Sequence, residues 1–578
     1  MRSLWVLCIF ALVLTGVAHD DQKYDIGEHV PLFVDNLVPF NNPQESYRYF
    51  TLKFCKPDPL HHKSQTLGEV LQGSEKVYSG YDLRFRRDVR PARELCKASL
   101  NAEDISRFRH AIQNQYHFTW YYDEIPIKGM IGDMDHNDNC YLYTQHDFQF
   151  EYNGDRVIDA RVITDAAHRV KLPEDATQLD VSFTYSSTWK DTDVVFDDRA
   201  ANNANELYQE EIEIQWFSIV NSFVLVLLLT GFLAFIVMRI LKKDYQRYTS
   251  LDEEEDQDET GWKLLHADVF RFPANKTLFA SIIGTGLQLL MIFFIILTLS
   301  VVGVFYAYGR GTMYAAIIVV YSLTAVAAGY SSAAFYRKIE GTNWVRNVLT
   351  TVTLFALPAF LVWSVLNTVA IFYSSTVALP FGTIIALFAL YFLVTFPLTL
   401  AGAIAGKNFG GSLDAPCRTK LAPREIPPAP WYRGPIVHVA VAGFLPFSAI
   451  YVELYYVFIS LWGHQLFTPY GILYLVFVIL LMVTACITVS LTYLQLSMEN
   501  HEWWWTALTS GGATSFFIYA YCFYFLYSES KMSGFFQVSY YFGYMLLICY
   551  ALFLMLGTVG FLCSFVFVKQ IYRSIKCD

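Results

Sequence analysis

The sequence predicts a polytopic α-helical membrane protein: nine transmembrane helices behind a mostly β, sandwich-like N-terminal domain. Three observations carry this expectation. Of 578 residues, 54% are hydrophobic and only 16% are charged, where soluble domains average about 25% charged. The first 18 residues have the build of a secretory signal peptide. From Trp216 onward, apolar runs long enough to cross a bilayer alternate with short polar breaks. The net charge of −10 argues against a nucleic-acid binder, which carries basic stripes to neutralise phosphates.

The elements follow in order. Arg2 is the positive n-region, Leu4 to Leu14 is an apolar run too short to span, and Gly16-Val17-Ala18 supplies small residues for cleavage before His19. Residues 19–216 are mixed and polar, hence an expected luminal domain. Within it, VSFTYSSTW (Val181 to Trp189) is β-branched and aromatic, as a strand is. Tyr141 to Ile163 reads as two strands around a turn at Asn153-Gly154, and Ala102 to Gln115 as a helix. Residues 217–240 form the first span, and 241–277 an expected cytosolic loop with the acidic run Asp252 to Glu259. Eight further spans are expected within 278–568, near 278–307, 313–335, 347–372, 380–406, 434–461, 469–497, 506–528 and 538–568. Residues 569–578 are the expected cytosolic tail.

Orientation follows from basic residues, which favour the cytosolic side. Arg239, Lys242, Lys243 and Arg247 follow the first span, Arg337, Lys338 and Arg346 lie between the third and fourth, and Lys407, Arg418, Lys420, Arg424 and Arg433 between the fifth and sixth. Arg310 and Lys531 are the exceptions. Span parity agrees with this bias and places the C-terminus in the cytosol. The sequon Asn275-Lys276-Thr277 then faces the cytosol and is expected to carry no glycan. Cys55, Cys96 and Cys140 fall in the oxidising lumen. A Cys55–Cys96 disulfide leaves Cys140 over, and spacing does not choose among the pairings.

The motifs that could carry chemistry are sparse. DMDHNDN (Asp133 to Asn139) has Asp138 where a calcium loop needs its sixth-position Gly and Thr144 where it needs its Glu, so it reads as a polar turn. GAIAGK (Gly402 to Lys407) has the wrong spacing for a phosphate loop. Gly402 and Gly406 instead make a small-residue face, for packing within the bundle or against a cargo helix. HEWWW (His501 to Trp505) lacks a second metal-binding His and reads as an interfacial aromatic belt. Glu453 is the sharpest single residue, because a carboxylate inside a span is costly. It serves either as a proton site or as a hydrogen-bonded rivet, with Asn221, Gln288 and Asn367 as partners to consider. His438, on the same span, is about 22 Å away at helical rise. There is no Gly-x-Ser-x-Gly elbow and no paired Cys-x-x-Cys. The expectation is a non-enzyme with no cofactor and no metal.

The layout and several motifs together resemble the transmembrane 9 superfamily, the nonaspanins. These motifs are LGEVLQG from Leu67, WFSIVNSFVLVLLLTGFLA from Trp216, GWKLLHADVFRFP from Gly261, AGYSSAAFY from Ala328, the stretch from DAPCRTK to IPPAPWY, GFLPFSAIYVELYY from Gly443, and MSGFFQVSYYFGY from Met532. HADVFRFP, DAPCRTK and FLPFSAIYVELYY look most like the superfamily's member one. Two departures show: Ala267 stands where many members have Gly, and HEWWW replaces DYRWWW. The resemblance implies a protein of Golgi and endosomal membranes that sorts other membrane proteins, particularly those with glycine-rich spans. The likeness to member one adds a lysosomal or autophagosomal link. The family's terminal Lys-x-Asp signal, read by the COPI coat, maps onto Lys576 and Asp578. The expected partners are therefore the membrane, the coat and transmembrane cargo. The rival reading is an ion- or proton-coupled transporter using Glu453.

Overall fold

In the N-terminal domain, alternation of side chains along the strands builds the core. In β4 (His117–Tyr122) the residues Phe118, Trp120 and Tyr122 are buried, and in β8 (Gln145–Asn153) so are Phe148 and Phe150. Trp120 meets Phe148 edge-on at 5.4 Å and Tyr122 meets Phe150 at 4.3 Å, so aromatic pairs join the two sheets these strands belong to. The structure is a computed structural model. It describes residues 22–164, 168–196, 199, 261–305, 310–417, 419–420, 422–428, 430–431, 434–462 and 470–573, with scattered positions between 220 and 242. The signal peptide, most of the first span, the acidic run, Asn221 and the residues from Ser574 to Asp578 lie outside the described residues.

One sheet orders β2 (Val77–Tyr78), β1 (Leu32–Val34), β4 and β5 (Ile125–Met130). The other orders β3 (Val89–Asn101), β11 (Gln178–Asp191), β8 and β9 (Arg156–Ile163). A small third sheet holds β6 (Gly132–Met134), β7 (Cys140–Tyr143) and β10 (Arg169–Lys171). The turn read at Asn153-Gly154 joins β8 to β9, with Asn153 opposite Arg156 and Gly154 at φ +63°. The stretch from Val181 to Trp189 lies within β11, which pairs with β8 in parallel, so the domain is not a simple meander. Two helices flank the sheets. α1 (Leu67–Gln72) starts from a Thr66–Glu69 capping box, and α2 (Ala102–Gln113) from an Asn101–Asp104 box. Asp133, in β6, pairs with Arg169 of β10 at 2.6 Å, and the turn that follows closes through Asp138 N donating to Asp135 O at 3.0 Å.

The membrane part consists of α3 (Lys276–Val301), α4 (Arg310–Lys338), α5 (Trp344–Phe372), α6 (Phe381–Leu390), α7 (Phe396–Phe409), α8 (Pro435–Trp462), α9 (Tyr470–Ser497), α10 (Trp503–Gly512), α11 (Thr514–Tyr524) and α12 (Phe535–Arg573). A π turn at Tyr391–Thr395 joins α6 to α7 as one pass. Among the described residues, seven helical stretches are long and apolar enough to cross a membrane. The span expected near 506–528 falls on α10, α11 and the π turn at Phe525–Glu529, with the hydrogen-bond ladder interrupted at Ala513, whose own φ and ψ of −60° and −27° stay helical. α12 is the central element, packing on α3, α5, α9, α10 and α11.

Small and hydroxyl side chains fit these helices together, as expected where lipid supplies no hydrophobic drive between them. A Cβ placed on Gly286 of α3 would lie 2.1 Å from Thr558 Oγ1 of α12. Ser281, Ser332, Asn347 and Thr351 form a buried ring across α3, α4 and α5: Asn347 Nδ2 donates to Ser332 Oγ at 2.9 Å, and Thr351 Oγ1 to Ser281 Oγ at 3.1 Å.

The Trp run corrects the aromatic-belt expectation. Trp503 and Trp504 are 0% and 2% exposed, packed inside the bundle against Phe561 rather than facing lipid. Trp503 Nε1 donates to Val269 O at 2.8 Å, and Trp505 Nε1 to Ala274 O at 3.0 Å. The indoles of Trp503 and Trp505 thus clamp the GWKLLHADVFRFP segment to the end of the bundle, with the carbonyls of Val269 and Ala274 satisfying their N–H groups.

Candidate functional sites

Two ends of the bundle carry built contacts. At one end the N-terminal domain sits on the loops after α5 and before α12. Ser375 Oγ donates to Ser46 O at 2.8 Å, and Asn36 Nδ2 donates to Thr376 Oγ1 at 2.8 Å. Ser533 N donates to Asn42 Oδ1 at 3.1 Å, and Gln44 N to Gln537 Oε1 at 3.0 Å. α1 meets the start of α4 so closely that a Cβ on Gly68 would lie 1.7 Å from Gly311 O, so this contact requires glycine. That explains the LGEVLQG motif in physical terms: a capped turn with glycine where two backbones touch. Behind the junction, Asp35 accepts from Ser74 Oγ at 2.7 Å and from the amides of Asn36 and Glu75 at 2.8 and 3.0 Å. Burial raises its pKa, and these bonds partly oppose the rise.

At the opposite end, three segments close over the helix termini. Lys420 N donates to Ala267 O at 3.0 Å, and Arg271 Nη2 bonds both Asp268 at 2.6 Å and Lys420 O at 2.8 Å. Tyr572, fully buried, donates to Trp262 O at 2.6 Å. The last described turn of α12 is thereby pinned, and the chain leaves it toward Lys576 and Asp578, which lie outside the described residues.

Glu453 lies in α8 and is 6% exposed, turned into protein rather than lipid. Of its expected partners, Gln288 donates to Tyr321 O at 2.9 Å and Asn367 accepts from Leu379 N at 2.9 Å, so both amides serve their own loops and neighbours. His438 is also buried, near the start of the same helix. Gly402 and Gly406 face α4 of the same chain. A Cβ on either would lie 2.1 Å from Val326 O or 2.3 Å from Tyr330 O. Their face thus packs closely on the α4 backbone within the chain. Cys55 and Cys96 form a disulfide with Cα atoms 5.9 Å apart, tying the segment before α1 to β3, while Cys140 is a buried free thiol.

Sequence reasoning missed the break at Ala513. Ser510 and Thr514 flank it, buried, with hydroxyls that have no hydrogen-bond partner among the described residues. The signal was present in Ser510-Gly511-Gly512-Ala513-Thr514, a cluster of small residues that weakens a helix. No group of three or more metal-ligating side chains occurs among the described residues.

Comparison with known proteins covers the whole chain. A family described as "Endomembrane protein 70" matches residues 46–535. "Transmembrane 9 superfamily member 4" of Arabidopsis thaliana is 50% identical, covering 100% of this chain and 99% of its own. "Transmembrane 9 superfamily member 1" of Bos taurus is 43% identical over 99% and 98% of the two chains. "Putative phagocytic receptor 1b" of Dictyostelium discoideum is 45% identical over 100% and 99%. No solved structure matches. With identity of this order running from end to end, through the junction, the bundle and the clamp, the chain belongs to the transmembrane 9 superfamily of multi-pass membrane proteins.

Proposed function

We propose that this protein is a non-enzymatic sorting factor of Golgi and endosomal membranes, which holds other membrane proteins and carries them through coat-dependent traffic. The family membership and the relative named as a receptor support an endomembrane receptor or sorting role. The observation that carries the finer reading is the division of labour between the ends. A disulfide-tied domain sits on one end of the bundle, and the pinned last turn of α12 delivers the C-terminal tail at the other. In this reading the N-terminal domain is luminal and receives cargo, while the tail is cytosolic and engages the COPI coat through Lys576 and Asp578. An autophagic role belongs to the same reading, as one destination of the sorted cargo.

Chemistry makes the tail a specific signal. Asp578 offers a side-chain and a terminal carboxylate, and Lys576 one ammonium, and charge-assisted bonds to such groups are short and directional. Lys576→Ala, Asp578→Ala, or one residue added after Asp578 should each weaken coat binding in a pull-down and shift the protein out of the Golgi. Unchanged binding and distribution in all three variants would refute the signal.

The second reading, a proton- or ion-coupled transporter, rests on the burial of Glu453 within α8. Glu453→Gln separates the two. A pH-dependent flux in proteoliposomes that this variant abolishes would establish transport. Normal cargo delivery by the variant with no flux in either protein would leave Glu453 as a rivet between helices.

A further inference from the structure

The loop between α7 and α8 contains a stretch that neither reading uses: Arg424-Glu425-Ile426-Pro427-Pro428-Ala429-Pro430. We infer that this segment is a docking site for a cytosolic protein domain of the SH3 type, one that reads polyproline II helices, with Arg424, Pro427 and Pro430 as its anchors.

The conformation is set in advance by covalent geometry. Pro427, Pro428 and Pro430 have their φ angles fixed by their rings. Ile426, Pro427 and Ala429 each precede a proline, which bars them from the helical region and pushes them toward extended backbone. Five consecutive residues are therefore restricted before any partner arrives, and this low ordering cost is what polyproline-reading domains exploit. A polyproline II helix has three residues per turn, so Arg424, Pro427 and Pro430 fall along one edge, about 9 Å apart at each step. An edge of one cation and two prolines matches an aromatic groove with carboxylates at one end.

The structure leaves this edge available. Residues 422–428 and 430 are exposed and belong to no helix or strand. Among the described residues, 422–428 form no backbone–backbone hydrogen bond. Arg424 is held by Glu499 at 3.1 Å, but the pair is partly solvated, with 41% and 22% of the two side chains exposed. Exposed pairs of this kind are weak, so a partner's carboxylates can displace Glu499. The loop also lies at the far end of the bundle from the N-terminal domain, through Lys420 N bonding Ala267 O at 3.0 Å. The inference rests on the orientation given under Proposed function, not on the tail.

The test uses the full-length protein in lipid nanodiscs and immobilised SH3 domains chosen because they bind a synthetic 422–431 peptide. Those domains should retain the nanodisc protein. Pro427→Ala combined with Pro430→Ala, and separately Arg424→Ala, should lower retention at least tenfold. Glu499→Gln, which releases Arg424, should raise affinity by about two- to fivefold, the fold-change equivalent of an exposed ion pair. Lys576→Ala should change nothing here, which separates this site from the tail. Retention that survives the double proline variant would overturn the inference. So would a peptide that binds while the intact protein does not, since the loop would then be a rigid connector only. Protection of an epitope inserted after Lys420 in sealed microsomes would put the loop in the lumen and overturn it as well.

Discussion

Replacing Gly406 by Ala tests whether the glycine face of α7 is structural or a landing site for cargo. The added Cβ would lie 2.3 Å from Tyr330 O and 3.0 Å from Ala334 N, both backbone atoms of α4. At Gly402 the nearest atom is Val326 O at 2.1 Å. A carbon and a carbonyl oxygen normally approach no nearer than about 3.3 Å, so α4 and α7 must part by roughly 1 Å. Overpacking of this kind costs ~1–3 kcal/mol, against ~1 kcal/mol gained in helix propensity. Each variant should therefore be destabilised by up to about 2 kcal/mol, and the pair by somewhat less than the sum, because one separation serves both. Gly382 is the internal control: it lies on α6, is exposed, and would have nothing within 4 Å of an added Cβ. There the propensity gain stands alone, so Gly382→Ala should stabilise by ~0.5–1 kcal/mol. Thermal unfolding in nanodiscs, followed by a thiol-reactive dye that reports buried Cys522 and Cys549, measures all three. Midpoints should fall for Gly402→Ala and Gly406→Ala and hold or rise for Gly382→Ala. Equal shifts at all three positions would refute the close-packing argument. Loss of cargo binding by Gly406→Ala at unchanged stability would return the face to cargo.

His146 is buried against Tyr81 and Trp120, and that burial pulls its pKa down to about 4. The unfolded state then binds more protons below about pH 6.5, so stability is full above that value and declines as the pH falls toward 4. Denaturant unfolding should show the N-terminal domain about 1 kcal/mol weaker at pH 5.5 than at pH 7, with the difference abolished in His146→Phe. Asn347→Ala breaks the buried ring at Ser332 and should lower stability by ~1–2 kcal/mol in the dye assay, while Asn343→Ala at the exposed end of the same helix should not. Trp503→Phe keeps the ring packing but removes the bond to Val269 O; hydrogen exchange should rise across 261–274 and stay unchanged in the N-terminal domain.

The parts of the fold that were legible in the sequence are those governed by short-range periodicity. The apolar runs near 278–307 and 347–372 fall on α3 and α5, and the alternation from Val181 to Trp189 falls within β11. What escaped depends on partners distant in sequence. The parallel pairing of β8 with β11 is not encoded in either strand alone. The Trp run reads as interfacial by composition, yet Trp503 sits inside because Val269 O, 234 residues away, satisfies its N–H. Gly68 and Gly311 carry no local sign that they touch. Glu453 was visible as a costly residue, and the structure adds its burial. The terminal Lys576 and Asp578 lie outside the described residues, so their reading still rests on chemistry and resemblance.

Whether an event at one end reaches the other turns on α12. It runs unbroken for 39 residues, about 58 Å at helical rise and nearly twice the roughly 30 Å hydrocarbon thickness of a bilayer. Gln537, near its start, accepts from Gln44 of the N-terminal domain, and Tyr572, near its end, bonds Trp262. The sorting receptor proposed above would use coupling between these ends only if it held an element with two discrete arrangements. α12 contains no proline, no π turn and no non-helical residue. Among the described residues, the interruptions at Ala513 and the two π turns and the helix-interior prolines Pro358 and Pro446 lie on other passes. α12 is therefore a spacer, and cargo occupancy should leave the tail's affinity for coat unchanged within about twofold, since a ligand shifts only those states it distinguishes. Titrating purified coat onto nanodisc protein, with and without a saturating bound cargo, measures this directly. A fivefold or larger change would show that α12 moves, and would place the two-state element at the junction around Gln537, where the helix first meets the N-terminal domain.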